Sequence, residues 1–194
     1  LQNLPVLLCL DRGGLVGEDG ATHHGVFDLA YLRTIPNMNI LVPKDENELR
    51  QMIFAAFTKN FPVAIRYPRG AGLGVKVEAE PQEIPWGKAE VVEHGQAAEV
   101  TICAVGTMVK TCVEAAKLLR EKNFSVDVIN ARFVKPLDAE LIKKSARSSK
   151  LLVTCEEGTL TGGFGSAVAE LLADEKISTP LLRLGIADKF VEQG

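Results

Sequence analysis

The sequence predicts an α/β protein made of two α/β sandwich pieces in series, each with a mostly parallel sheet. Short apolar runs, typical of buried strands, alternate with segments of helical periodicity. This alternation breaks once, in a stretch rich in proline and glycine, and then starts again. Strands that alternate with helices form right-handed βαβ units, whose strands are parallel. We therefore expect one piece at residues 1–75, a connector at 76–97 and a second piece at 98–194.

The first piece begins with an apolar run at 5–10, which is typical of a strand buried on both faces of a parallel sheet. A glycine-rich loop follows at 11–25. In the segment 45–59 the apolar side chains recur on one face of a helix. The expected elements are strands at 5–10, 39–42 and 62–67 and helices at 26–32 and 45–59.

The second piece repeats this order of elements. It follows a stretch, 68–97, whose prolines, glycines and single tryptophan, Trp86, are typical of an interdomain connector. The expected elements are strands at 99–105, 125–130, 150–155 and 180–184 and helices at 109–121, 138–145 and 165–173.

Charge and composition exclude several classes of function. A net charge of −3 and a pI near 5.7 give no broad basic field, so we expect neither nucleic acid nor a membrane surface as a partner. The four cysteines stand singly, which favours free, buried thiols in a reducing cytosol over a zinc site or a disulfide: they are Cys9, Cys103, Cys112 and Cys155. We interpret both ends of the sequence as cut within a longer chain.

The loop at 11–25 carries the strongest functional signal. It follows a strand directly and holds Arg12, Asp19, His23 and His24 among its glycines, and ligands of parallel α/β sheets bind beyond the carboxyl ends of strands. The alternative is a flexible surface turn. If the backbone is extended at 23–24, the two imidazoles face opposite ways.

Two arginines follow the strand at 62–67, so Arg66 and Arg69 can face the same crevice as this loop. Arginine suits forked contacts with phosphate. Alone, the two arginines are typical of surface charges. Together with Arg12 they predict a phosphate-binding clamp, for which Arg69 is better placed than Arg66. The glycines of 156–165 favour a structural strand-to-helix turn over an anion site, because no cation or histidine accompanies them.

Five motifs occur in the order of a known family. They are DRGGLVGEDGATHHG (11–25), PKDENE (43–48), RYPRG (66–70), ARFVKPLD (131–138) and EEGTLTGGFG (156–165). Together they resemble the 1-deoxy-D-xylulose 5-phosphate synthase family of the transketolase superfamily, over nearly the entire chain. The core Glu-Asp-Gly-x-Thr-His (18–23) is similar to the whole superfamily, whereas the Asp-Arg opening and the 131–138 motif are specific to the synthases.

The resemblance implies the second half of a transketolase-like pyrimidine-binding domain followed by the transketolase carboxyl-terminal domain. It implies a transferase that uses thiamine diphosphate and Mg²⁺ to condense pyruvate, with loss of carbon dioxide, with D-glyceraldehyde 3-phosphate to give 1-deoxy-D-xylulose 5-phosphate. This reaction opens the non-mevalonate isoprenoid pathway and feeds thiamine and pyridoxal phosphate synthesis. The resemblance further implies a homodimer in the cytoplasm, or in the plastid of a photosynthetic eukaryote.

Residue roles carry over position by position. The resemblance implies that Arg12 and Arg69 hold the phosphate of the acceptor, that Asp19 binds its 2-hydroxyl, and that His23 lies near the reacting carbons as a proton donor or hydrogen-bonding group. The sequence departs from the family at Gly13, where alanine is usual, and at His24, where glutamine or cysteine is more common. Neither departure removes a group to which a role is assigned.

Two parts of the family's machinery lie upstream of the matched residues: the glutamate that activates the aminopyrimidine, and the Gly-Asp-Gly motif for magnesium and diphosphate. We therefore assign no cofactor or metal ligand to this chain and expect the cofactor to be bound mainly by upstream residues. The chain supplies the acceptor-substrate side, and the 194 residues alone are predicted to be inactive.

Competing hypotheses remain open. The nearest are another thiamine enzyme, either transketolase or the β-type subunit of a 2-oxo acid dehydrogenase component. A hypothesis of another class is a non-catalytic interaction module, although such a module does not need polar side chains crowded at strand ends.

Overall fold

The structure is a computed structural model that describes residues 2–194, so Leu1, the first residue of the expected first piece, lies outside the described residues. Strands and helices alternate along much of the described chain, although three strands follow one another between residues 63 and 104 and two between residues 126 and 135. The strands are β1 (Leu7–Leu10), β2 (Asn39–Leu41), β3 (Val63–Arg66), β4 (Glu90–Glu93), β5 (Val100–Ala104), β6 (Val126–Asn130), β7 (Phe133–Lys135), β8 (Leu151–Thr159) and β9 (Leu181–Ile186). The helices are α1 (Asp28–Arg33), α2 (Glu46–Ala56), α3 (Met108–Glu121), α4 (Ala139–Ser148) and α5 (Phe164–Asp174).

The strands form two sheets, and both are mostly parallel, as the sequence predicts. The first sheet has the order β1-β3-β2-β7, in which only β7 is antiparallel to its neighbour. The second has the order β4-β6-β5-β8-β9, in which only β4 is antiparallel. The expected two-piece α/β fold is therefore confirmed.

The sequence patterns did not predict β4 and β7. β4 lies inside the segment expected as a connector and pairs with β6 of the second sheet. β7 comes from the second half of the chain but pairs with β2 of the first sheet. Such short edge strands form through tertiary pairing rather than through a local pattern. The boundaries at residues 75 and 97 stay a prediction.

Helices cover the sheets, and two of them begin at aspartates. The side chain of Asp45 accepts a hydrogen bond from the Glu48 N–H at 2.8 Å, and that of Asp138 accepts one from the Leu141 N–H at 3.3 Å. These aspartates satisfy N–H groups that the first helical turn leaves free. Met52 and Ala56 of α2 then pack on one face of the first sheet.

The two halves share one hydrophobic core. A buried cluster combines Leu29 and Ile40 of the first half with Ile129 and Phe164 of the second. A buried polar contact also joins the two halves, since Asn130 Nδ2 donates to the Glu48 carboxylate at 2.8 Å. The second half is therefore packed firmly enough against the first to position residues in it.

The expectation that all four cysteines are buried is wrong for Cys9, which is exposed. β1 is an edge strand whose two central side chains, Leu8 and Cys9, are exposed, so it is not buried on both faces. Cys103, Cys112 and Cys155 are free and buried; burial raises the pKa of the Cys103 thiol to about 12. Within residues 2–194, no helix is both long and apolar enough to cross a bilayer.

Candidate active site

The loop at 11–25 and the segment after β3 leave the first sheet at the same edge. β1 and β3 are parallel, with Leu10 opposite Arg66. Backbone hydrogen bonds continue this pairing, from the Tyr67 N–H to Leu10 O at 3.0 Å and from the Gly13 N–H to Tyr67 O at 2.9 Å. The chain after residue 10 therefore runs beside the chain after residue 66.

The base of the loop is closed by glycines. The Gly25 N–H donates to Arg12 O at 3.0 Å, and the Gly14 N–H donates to Gly25 O at 2.9 Å. A Cβ on Gly25 would lie 2.3 Å from Arg12 O, so only glycine allows this close approach. The loop therefore returns to its own start, with Leu15 to His24 projecting from the sheet.

Three of the four predicted site residues meet in one cluster. The Asp19 carboxylate accepts a hydrogen bond from Arg12 Nε at 3.1 Å and another from Arg69 Nη1. Asp19 is half-buried and Arg69 is exposed. The hydrogen bond from Arg69, followed by that from Arg12, lowers the pKa of Asp19. Arg12 Nη1 also donates to the Asp11 carboxylate at 2.6 Å, so the cluster combines two guanidinium groups with two carboxylates.

The two histidines make different contacts. The backbone forms a turn at Ala21–His23, so the condition of an extended backbone, under which the two imidazoles would face opposite ways, is not met. The exposed His23 ring contacts Thr22 Oγ1 through Nδ1 at 2.9 Å. His24 Nδ1 accepts from the Val16 N–H at 3.0 Å, and its Nε2 lies 3.4 Å from Glu192 O. His24 therefore supports the loop, whereas His23 is free to meet a ligand.

Arg66 lies apart from the cluster. Its side chain is buried, donating to the Asp28 carboxylate at 3.0 Å and to the backbone carbonyls of Gly25 and Glu157 at 2.8 and 2.6 Å. A Cβ on Gly13 would lie 2.6 Å from Arg66 Nε, so the glycine leaves space for this side chain. Arg66 is structural, and Arg69 is the arginine beside Arg12.

Family models match both parts of the chain. The model of the transketolase pyrimidine-binding domain matches residues 1–73, and that of the transketolase carboxyl-terminal domain matches residues 87–194. The second match alone covers more than half of the sequence.

The chain belongs to the transketolase family.

Curated relatives of this transketolase-family chain carry one name. This chain is 55% identical over 195 residues to 1-deoxy-D-xylulose-5-phosphate synthase 1 of Geobacter sulfurreducens. It is 54% identical over 194 residues to 1-deoxy-D-xylulose-5-phosphate synthase of Symbiobacterium thermophilum. Each alignment covers 100% of this chain and 30% of the relative. The resemblance seen in the motifs is therefore confirmed, and the chain spans about a third of these relatives' length.

A solved structure supports the same fold. A split-gene transketolase, described as an inactive beta4 tetramer, superposes on this transketolase-family chain with a TM-score of 0.80 at 34% sequence identity. The alignment covers 94% of this chain and 57% of the other.

The sequence patterns missed Glu157, which belongs to the second half of this transketolase-family chain. Its Oε1 accepts a hydrogen bond from the Leu15 N–H at 2.9 Å, and its Oε2 accepts one from Thr107 Oγ1 at 3.0 Å. The only signal for it was its place at the end of a strand beside glycines. No local pattern connects it to a loop that lies 142 residues earlier.

The glycine-rich segment after Cys155 is structural, as the sequence favours. The Glu156 carboxylate accepts hydrogen bonds from the N–H groups of Phe164 and Gly165, both at 2.8 Å, at the start of α5. Burial raises the pKa of Glu156, while these two N–H groups oppose the shift. A side chain of the protein thus occupies the amides that could otherwise hold an anion.

Proposed function

We propose that the whole protein catalyses the thiamine-diphosphate-dependent condensation of pyruvate with D-glyceraldehyde 3-phosphate to 1-deoxy-D-xylulose 5-phosphate, and that this chain supplies the acceptor side of the site. The observation that carries the proposal is the contact of Arg12 and Arg69 with the single carboxylate of Asp19. A phosphate beside Asp19 can contact guanidinium N–H groups that the carboxylate leaves free on both arginines.

In this proposal Arg12 and Arg69 bind the phosphate of the acceptor. Guanidinium groups present paired N–H donors that match phosphate oxygens, and hydrogen bonds between charged groups are the stronger kind. Asp19 offers a carboxylate that can accept a hydrogen bond from the 2-hydroxyl of the acceptor. Its depressed pKa keeps it ionised, and therefore an acceptor only, near neutral pH.

His23 supplies a donor near the reacting carbons. Its ring is exposed and lies four positions after Asp19 on the same loop, and its one side-chain hydrogen bond among the described residues is with the Thr22 hydroxyl. An imidazole so placed can donate a proton or a hydrogen bond to the aldehyde oxygen, which gains charge as the carbon–carbon bond forms. A hydroxyl or amide at position 23 could donate only the hydrogen bond.

In this proposal the cofactor is bound mainly by residues upstream of this chain. When bound, thiamine diphosphate supplies the chemistry that breaks the bond between the carboxylate and carbonyl carbons of pyruvate and makes the new carbon–carbon bond. Among residues 2–194, no group of three His, Cys, Asp or Glu side chains could hold a metal ion. Because the family's Gly-Asp-Gly motif lies upstream of the matched residues, we assign the Mg²⁺ and the diphosphate to other residues of the longer protein.

The test is an assay of the full-length protein for pyruvate-dependent release of carbon dioxide with different aldehyde acceptors, run beside assays with a ketose phosphate as donor and with a lipoyl group as acceptor. We expect release to depend on D-glyceraldehyde 3-phosphate and to produce 1-deoxy-D-xylulose 5-phosphate. Turnover only with a ketose phosphate donor would favour transketolase, transfer only to a lipoyl group would favour a 2-oxo acid dehydrogenase component, and no turnover at all would favour a non-catalytic module.

We also propose a homodimer that acts in the cytoplasm, or in the plastid of a photosynthetic eukaryote. The description of the split-gene transketolase as a tetramer supports self-association within the family. Sedimentation of the full-length protein tests the dimer, and imaging of a tagged protein in its own cells tests the location.

A further inference from the structure

Glu157 joins the second half of the chain to the loop of the candidate site. It lies in β8 of the second sheet, and its carboxylate accepts from the Leu15 N–H at 2.9 Å with one oxygen and from Thr107 Oγ1 at 3.0 Å with the other. Thr107 precedes α3, so one carboxylate connects three segments that are far apart in sequence.

The loop and the carboxylate are fitted to each other. Gly14 is buried and has a φ of +85°, and a Cβ there would lie 2.3 Å from the carboxyl carbon of Glu157. The backbone of Glu157 is fixed as well, because Arg66 Nη2 donates to its carbonyl at 2.6 Å. Hydrogen bonds therefore fix both the carboxylate and the backbone carbonyl of Glu157. A residue larger than glycine has no space at position 14.

Leu15 is the point where this support acts. It lies in the loop between Arg12 and Asp19, immediately after the base that Gly14 and Gly25 close. Beyond it, the His24 ring holds Val16 at 3.0 Å, and the turn that carries Asp19 begins at Gly17. Without the Glu157 carboxylate the Leu15 N–H loses its partner, and the chain between Arg12 and Asp19 loses one of its two side-chain supports.

We propose that Glu157 is a positioning residue that sets the distance of Asp19 and Arg12 from Arg69 and so prepares the pair of cations for the phosphate of the acceptor. This inference rests on the proposed function. Glu157 contacts the backbone of Leu15 and the hydroxyl of Thr107, so it acts through the loop. The second half of the chain thereby takes part in acceptor recognition without placing a side chain on the acceptor.

The experiment compares Glu157→Ala and Glu157→Gln in the full-length enzyme, with Glu140→Ala as the matched control. Glu140 is an exposed glutamate of the same half, paired with Lys143 on α4. The Gln side chain keeps both contacts, since its oxygen accepts from the Leu15 N–H and its NH₂ group donates to the Thr107 hydroxyl.

We expect Glu157→Ala to raise the KM for D-glyceraldehyde 3-phosphate about tenfold or more, the scale of a misplaced binding group. In Glu157→Ala, the KM for pyruvate and the rate of pyruvate decarboxylation should stay within about twofold of the wild type. In Glu157→Gln and Glu140→Ala, every kinetic constant should stay within about threefold of the wild type, the scale of a mild substitution. Hydrogen exchange of a peptide that contains Leu15 should be faster in Glu157→Ala alone.

Equal losses in the Gln and Ala variants would overturn the proposal, because the charge would then matter rather than the contacts. Unchanged exchange at Leu15, or faster exchange without a change in the KM for the acceptor, would overturn it too. If the wild type itself condenses no pyruvate with the acceptor, the proposed function has failed. Exchange at Leu15 then decides the role of Glu157 by itself, with faster exchange in Ala but not in Gln supporting it and equal exchange overturning it.

Discussion

Asp19 and Arg69 form an ion pair between two loops that lie 50 residues apart in the chain and follow the neighbouring strands β1 and β3. The same carboxylate also accepts from Arg12 Nε, so both arginines contact it, while Arg12 Nη1 donates to Asp11. In the proposed function, a phosphate that binds beside Asp19 meets two guanidinium groups that this carboxylate already holds close together, which reduces the ordering that binding requires.

Replacing Arg69 tests its part in phosphate binding. In the full-length enzyme, Arg69→Ala should lower kcat/KM for D-glyceraldehyde 3-phosphate roughly ten- to a hundredfold, the loss typical of one charge-assisted contact. Pyruvate decarboxylation should change less. Steady-state kinetics with both acceptors, phosphorylated and unphosphorylated, measures the effect. If D-glyceraldehyde loses as much as its phosphate, Arg69 has another role.

The ion pair of Asp19 should be visible in the pH dependence of stability. Hydrogen bonds from Arg69, then Arg12, lower its pKa in the folded protein. A carboxyl with a lowered pKa adds stability above its unfolded pKa, about 3.9, and this stability is lost as the pH falls through the lower folded pKa. Asp19→Asn should therefore have a lower urea midpoint than the wild type near neutral pH, and the difference should shrink as the pH falls below about 4 and disappear below the folded pKa of Asp19.

The size of that difference should be small, because exposed ion pairs contribute little and salt screens them. Urea denaturation followed by circular dichroism at several pH values measures it. A difference that persists unchanged in acid would mean that the Asn variant is destabilised for a reason other than the lost charge.

Arg66 and Arg69 are three positions apart and should behave differently in unfolding. The Arg66 side chain is buried with Asp28, and removing one member of a buried ion pair typically costs about 3–5 kcal/mol. Arg66→Met should therefore lower the melting temperature strongly, whereas Arg69→Ala, on the surface, should change it little. Differential scanning calorimetry compares the two. Adding Asp28→Leu to Arg66→Met should recover part of the loss, since the unpaired buried charge is then gone.

Sequence patterns could predict much of the fold because most strands are apolar runs buried on both faces. The segments around β3, β5 and β8 show this clearly. They could not predict β4 and β7, whose three or four residues become strands only by pairing with β6 and β2.

The same division holds for the candidate site. The meeting of Asp19 with Arg69 could be predicted, since residues that follow parallel strands share an edge of the sheet. The contact of Glu157 with Leu15 could not, because it depends on how the second half docks on the first. The turn at residues 21–23 was missed for a local reason, since its hydrogen bonds run to the carbonyl of Gly20, a glycine with a φ of +75°.

The two histidines give the sharpest test of the site. The N–H groups of His23 and His24 both bond to Gly20 O, at 3.0 and 3.2 Å, so the backbone turns rather than extends there. The imidazoles nevertheless make different hydrogen bonds. The His24 ring accepts from the Val16 N–H, while the His23 ring is exposed and its one side-chain hydrogen bond among the described residues is with the Thr22 hydroxyl.

In the full-length enzyme, His23→Ala should lower kcat roughly a hundredfold or more, the usual scale of a positioned acid–base group. His24→Gln should cost less than about threefold, because the glutamine oxygen can take the place of Nδ1 in accepting from the Val16 N–H. Steady-state kinetics on both variants, with circular dichroism to confirm folding, measures the contrast. A His24 ring that only supports Val16 has no part in proton transfer, so its replacement should have little effect on kcat. Equal losses, or a larger loss at His24, would therefore mean that the face of the loop that carries His24 meets the substrates.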